Sequence, residues 1–159
     1  ERDSVLMCGF LGFDASPFNP LLSSLPQVLH MPRVGNGWLS TLPSQVLQEW
    51  RSPRAGSATV LTRLAEVMFI EVLREYIATM EVDQRGWFAG LKDPLVGAAL
   101  ACLHERPSHA WTIAELAKEV AASRSVVAER FADVVGIPPM QYLARWRIQL
   151  AADLLRSGP

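Results

Sequence analysis

The chain has 159 residues, half of them hydrophobic and 19% charged, which excludes a disordered polymer and leaves room for one compact core or two small domains. Its formal net charge of -1 excludes a protein that coats nucleic acid by bulk charge, though not a reader with a small positive face. Residues 1–90 hold 7 basic and 9 acidic side chains against 8 and 7 in residues 91–159, so the second half is only slightly more positive.

Two cysteines, Cys8 and Cys102, are too few and too far apart for a disulfide framework or a zinc site. They read as reduced thiols of a cytoplasmic protein. No apolar run reaches the ~18–20 residues of a membrane span, and the charged start Glu1-Arg2-Asp3 does not read as a signal peptide.

In chain order, residues 4–13 predict a short, largely buried strand, followed by a turn from Asp14 to Pro20. Leu21, Leu22 and Leu25 predict a short helical turn stopped by Pro26, and Val28, Leu29 and Met31 a second extended piece. Two short strands are marginal in water, so this region needs a larger sheet. After Gly35-Asn36-Gly37, the spacing of Trp38, Leu39, Leu42, Val46 and Trp50 predicts a helix. Ser52 to Gly56 is a loop, and Ser57 opens the longest helical pattern, running to about Met80. Its apolar stripe is broader than a coiled-coil seam. Its polar face pairs Arg63 with Glu66 and Glu71 with Arg74. So wide a stripe must bury two sides, the second against its own core or against another copy. Glu81 to Gly90, polar and glycine-containing, is expected to be a linker.

Asp93 and Pro94 read as the cap and first residue of a helix running through Leu95, Leu100 and Leu103 to about Glu105. Thr112-Ile113-Ala114-Glu115 then fits a capping box before a helix with Ile113, Leu116, Ala117 and Val120 on one face. Ala121-Ala122-Ser123 forms a turn, Ser123 caps a second helix, and Val127, Phe131 and Val134 or Val135 point inward. Gly136 suits a left-handed C-terminal cap, and Pro138-Pro139 stops the helix. Two short helices, a three-residue turn and the small Ala117 at the crossing make a helix-turn-helix over 112–136. Beyond it, Met140 to Leu154 mark one long helix.

With the residues Ile113-Ala114-Glu115-Leu116-Ala117, Ser123-Arg124-Ser125, Arg130-Phe131, Gly136-Ile137-Pro138-Pro139, Tyr142-Leu143, Arg147, Ala151 and Leu154-Leu155, the stretch from Pro94 onward resembles the DNA-binding region of the AraC family of bacterial regulators. More loosely, Cys8-Gly9-Phe10, Phe13-Asp14, Asn19-Pro20-Leu21-Leu22 and Leu25-Pro26 resemble the end of the cupin-type sensor found in one subgroup. The resemblance implies a mainly α fold with a short β remnant at the N-terminus. Residues 1–33 would close the sensor, 34–84 form a helical linker or dimerisation segment, and 91–159 the first helix-turn-helix and the long joining helix. It further implies a middle piece of a longer regulator, because the family's second helix-turn-helix follows the joining helix. The expected partners are double-stranded promoter DNA, a second copy in a homodimer, and an unknown small-molecule effector, with no cofactor, no metal and no membrane.

In such a unit the second helix enters the major groove. The outward residues Arg124, Ser125, Ala128 and Glu129 are the expected base contacts, Arg124 toward guanine and Glu129 toward a cytosine amino group. Thr112, Ser123, Arg130 and Arg145 are the expected phosphate contacts. Arg147 is expected to pair with an acidic side chain instead. Two positions depart from the family pattern: Ala121 stands where glycine is usual, so the turn is expected to be ordinary helical backbone, and Glu129 stands where a basic residue is frequent. Glu129 repels phosphate, so this stretch alone is expected to bind DNA weakly. The alternative reading is a dimerisation or sensor fragment with no DNA binding of its own. Enzyme readings fail on inventory, since His30, His104 and His109 are scattered and neither a glycine-rich phosphate loop nor an HExxH motif is present.

Overall fold

The computed structural model describes residues 8–13, 17–30, 41–80 and 85–158. Among them are eight helices: α1 (Pro20–Ser24), α2 (Leu42–Arg51), α3 (Ser57–Thr79), α4 (Trp87–Lys92), α5 (Pro94–Glu105), α6 (Ile113–Glu119), α7 (Arg124–Val135) and α8 (Pro139–Ser157). The mainly α class holds. No strand occurs among the described residues: 8–13 and 25–30 are irregular, and 4–7 and 31 of the two expected strands lie outside them. An extended segment without a neighbouring strand has no partner for its N–H and C=O groups, so it does not register as a strand. No described helix is long and apolar enough to cross a membrane.

The chain divides into two compact units, Glu1–Phe13 with His30–Thr79, and Asp14–Leu29 with Met80–Pro159. In the first, α2 and α3 form a hairpin across the loop 52–56. Its turn is held by a buried carboxylate: Glu49 pairs with Arg54 at 2.6 Å and accepts the Ser57 hydroxyl at 2.5 Å. The Ser57 hydrogen bond first, then Arg54, hold the Glu49 carboxyl below the usual range. Trp50, one of the apolar residues whose spacing predicts this helix, is 69% exposed while Leu42 and Glu49 are buried. The α3 surface pairs Arg63–Glu66 and Glu71–Arg74 form as the spacing predicts.

In the second unit the linker expectation for 81–90 fails from Trp87 onward. Residues 87–92 are helical, and Phe88, Ala89 and Gly90 are buried. A Cβ on Gly90 would lie 3.1–3.3 Å from Leu100, Val96 and Val135, so a residue that looked like linker glycine is the contact through which α4 packs on its neighbours. The core gathers Val96, Ala99, Leu100 and Leu103 of α5, Leu116 and Ala117 of α6, Val127, Phe131 and Val134 of α7, and Tyr142 and Leu143 of α8. Phe131 and Tyr142 meet edge-on at 5.7 Å. The His104 ring stacks on Trp146 at 4.4 Å, and its Nε2 lies 2.7 Å from the Tyr142 hydroxyl.

The turn between α6 and α7 corrects the sequence expectation. Ala121 has φ +53°, a left-handed conformation and not ordinary helical backbone. The end of α6 requires it: the Ala122 N–H returns to the Ala117 carbonyl at 2.9 Å and the Ala121 N–H to the Lys118 carbonyl at 3.2 Å, a pair of capping bonds that places the residue after Val120 in the left-handed region. A left-handed alanine costs about 1–2 kcal/mol, partly offset by its lower unfolded-state entropy relative to glycine. Ala121→Gly is therefore expected to raise stability by up to about 1 kcal/mol in urea denaturation. A lower midpoint at unchanged slope would refute it.

Burial lowers the His104 pKa, so the folded protein resists a proton that the unfolded chain takes up near pH ~6.5. Stability should hold above that pH and decline as pH falls below it. His104→Phe is expected to flatten this decline, and equal pH slopes for the two proteins would count against the burial argument.

Candidate nucleic-acid interface

The helix-turn-helix is built from local capping outward. Thr112 opens α6 with the complete capping box: its hydroxyl accepts the Glu115 N–H at 3.2 Å, and its own N–H donates to Glu115 Oε2 at 3.0 Å. The Thr112 hydroxyl also donates to that carboxylate at 3.0 Å. These bonds hold the Glu115 carboxyl below its ordinary pKa, the hydroxyl contributing most. Both hydrogens that Thr112 was expected to offer a phosphate are thus given to a neighbouring anion.

Ser123 caps α7 by accepting the Val126 N–H at 3.3 Å, and its hydroxyl lies 3.2 Å from that of Ser125. Gly136 ends α7 with φ +89°. Along this helix Val127, Phe131 and Val134 face the core as expected. Arg124, Ser125 and Glu129 are exposed, and neither Arg124 nor Glu129 has an ion-pair partner among the described residues. Ala128 is half-buried and therefore less available than its three companions. Val126 is 49% exposed beside Ser125 and escaped the sequence reading. The signal was present: if Val127 points inward, its neighbour is turned about 100° away. An exposed valine in the first turn of α7 suits a thymine methyl.

Two arginines are tied into the unit, one of them the expected phosphate contact Arg130. Arg130 Nε donates to Asp93 Oδ2 at 2.8 Å, joining α7 to the cap of α5. Asp93 Oδ1 meanwhile accepts the N–H groups of Leu95 and Val96 at 3.0 and 2.9 Å. Burial alone would raise the Asp93 pKa, but the Val96 N–H, Arg130 and the Leu95 N–H together hold it below the ordinary value. Arg147 donates to the carbonyls of Pro107 and His109 at 2.6 and 2.5 Å, fastening α8 to the α5–α6 loop; its partners are main-chain oxygens, not the expected acidic side chain. Arg145 is exposed, its guanidinium 6.0 Å from the Phe18 ring centroid. No cluster of three His, Cys, Asp or Glu side chains suited to a metal occurs among the described residues. Cys8 and Cys102 are both free thiols.

The exposed face is therefore the first two turns of α7, presenting Arg124, Ser125, Val126 and Glu129 on the side of the helix opposite its packed residues. Arg130→Ala is expected to cost up to about 1 kcal/mol of stability through loss of the Asp93 pair. It should leave the salt dependence of duplex DNA binding unchanged. A slope shallower by about 0.9 would instead mark Arg130 as a phosphate contact.

The Cupin family model matches residues 1–78, past residue 33 and through nearly all of α3. Over 98% of its length the chain is 42% identical to a protein named as an AraC-like transcription regulator from Streptomyces antibioticus, of which it covers 52%. It is 40% identical to a similarly named protein from Streptomyces lividans, with the same two coverages. The HTH-type transcriptional regulator AlkR of Acinetobacter baylyi is 33% identical over 88% of this chain and 47% of its own length. The chain spans about half the length of the curated relatives it matches. No solved structure matches it.

Proposed function

We propose that this chain, a homologue of AraC-like transcription regulators over nearly its whole length, contributes a sequence-specific DNA reader to a transcription regulator. The observation that carries the reading is the exposed first half of α7, with Arg124, Ser125 and Glu129 standing free of the core on a helix whose opposite face is fully packed. In this role Arg124 donates two hydrogen bonds to a guanine, Glu129 accepts from a cytosine amino group, Ser125 meets a base or phosphate, and Ala128 with Val126 covers a thymine methyl. Ser123 contacts phosphate, whereas Thr112, Arg130 and Arg145 do so only by exchanging their present partners, Glu115, Asp93 and the Phe18 ring. The unit acts in the cytoplasm on promoter DNA and performs no catalysis.

Residues 1–33 in this reading close a cupin-like sensor for a small-molecule effector, 34–84 are the helical linker, and 91–159 the first helix-turn-helix with its joining helix. Homodimerisation runs through α3, whose Val60 and Ile70 are 44% and 48% exposed and gain most from a second copy.

Selection from a random duplex library by the chain and by its Arg124→Ala and Glu129→Ala forms tests the reading. Each lost base contact should relax preference at one or two positions by about 1–3 kcal/mol. Unchanged preferences in both variants would defeat it, and unchanged preferences with an altered dimer mass would favour a dimerisation fragment that does not bind DNA.

A further inference from the structure

The segment 17–25 lies within the 78 residues matched by the cupin model, but it falls in Asp14–Leu29, a stretch of the second compact unit that interrupts the two stretches of the first, Glu1–Phe13 and His30–Thr79. Its own contacts are with the DNA-reading unit. The Phe18 N–H donates to Gln149 Oε1 on α8 at 2.8 Å, and the Phe18 ring meets Tyr142 edge-on at 5.6 Å and 82°. Six positions further, the Ser24 hydroxyl accepts the Trp87 N–H at 3.2 Å. Trp87 is the first residue of α4, whose N-cap Gly86 has no side chain to offer, so Ser24 supplies the cap from 63 positions away. Between these anchors α1 carries its own cap, with Asn19 Oδ1 accepting the Leu22 N–H at 3.1 Å, and buries Pro20.

Gln149 makes the attachment specific. It is 5% exposed on the polar side of α8, with its amide nitrogen donating to Asp153 and its oxygen taken by the strap's backbone. A buried glutamine is tolerated where both ends are bonded, and among the described residues the strap satisfies the oxygen. At the same place the Arg145 guanidinium lies over the Phe18 ring.

We propose that residues 17–25 are a strap by which the sensor-side chain grips the reader, and that the docked strap holds Arg145 away from DNA phosphate. A pull on the strap from its sequence neighbours undocks Phe18 from α8, removes the Ser24 cap from α4 and frees Arg145. The gating half rests on the reading of the unit as a DNA binder; the docking half does not.

The test uses the whole chain with Phe18→Ala and, separately, Ser24→Ala, the second a milder change that spares the aromatic core. Hydrogen exchange should rise at least about tenfold across residues 20–25 and at Trp87, with the amides around Leu103 and Phe131 unchanged. Binding to a random-sequence duplex at low salt should then tighten several-fold, with a log–log salt slope steeper by about 0.9, one added phosphate contact. Both gains should vanish when Arg145→Ala is added. Unchanged exchange at residues 20–25 in both variants overturns the strap. Faster exchange with unchanged DNA affinity and slope overturns the gating. If Arg124→Ala leaves binding and sequence preference intact as well, the DNA-reading proposal fails with it, while the exchange result still stands on its own.

Discussion

Tyr142 sits with no exposed surface where α5, α7, α8 and the strap converge. Its ring takes the edges of Phe131 from α7 at 5.7 Å and Phe18 from the strap at 5.6 Å, and its hydroxyl meets His104 of α5 at 2.7 Å. Burial raises the hydroxyl's pKa, so it remains a neutral phenol able to bond the imidazole. Aromatic pairs of this kind add about 0.5–1.5 kcal/mol each beyond their buried area, and three elements draw on the same ring. Removing it would unseat the recognition helix, the joining helix and the strap together.

That convergence explains why the reading face is polar but sparsely charged. Phe131 and Val127 anchor the inner side of α7, and Arg130 is drawn to Asp93 at its flank. What remains outward carries Arg124 and Glu129, neither with an ion-pair partner among the described residues. In the proposed role, a surface so composed gains little from bulk charge and would discriminate by hydrogen-bond geometry. For the proposed DNA reader, weak affinity from this surface alone is the expected physical consequence.

Much of the helix-turn-helix was legible because its signals are local. A capping box, an aspartate before a proline, a serine three residues ahead of an amide and a glycine after the last apolar position each act within one helical turn. The inward positions of α7 followed from the 3.6-residue period alone. Trp50 and the stretch 87–90 misled for the opposite reason. Periodicity marks an apolar stripe without saying whether anything covers it, and a glycine looks the same in a linker as in a tight helix contact.

The sequence by itself determined the order of α5 to α8, the caps of α5 to α7, the inner face of α7 and, on its outer face, Arg124, Ser125 and Glu129, because those depend on neighbours three or four positions away. Only the tertiary structure decided that Ala121 is left-handed, that Arg130 and Arg147 are tied to Asp93 and to two loop carbonyls, and that Ser24 caps a helix 63 positions later. Apart from Ala121, whose turn bond joins residues five positions apart, each of those is settled by groups brought together across 37 to 63 positions of chain. A hydrogen bond between distant residues leaves no periodic trace, since its partners are chosen by where the packed core places them.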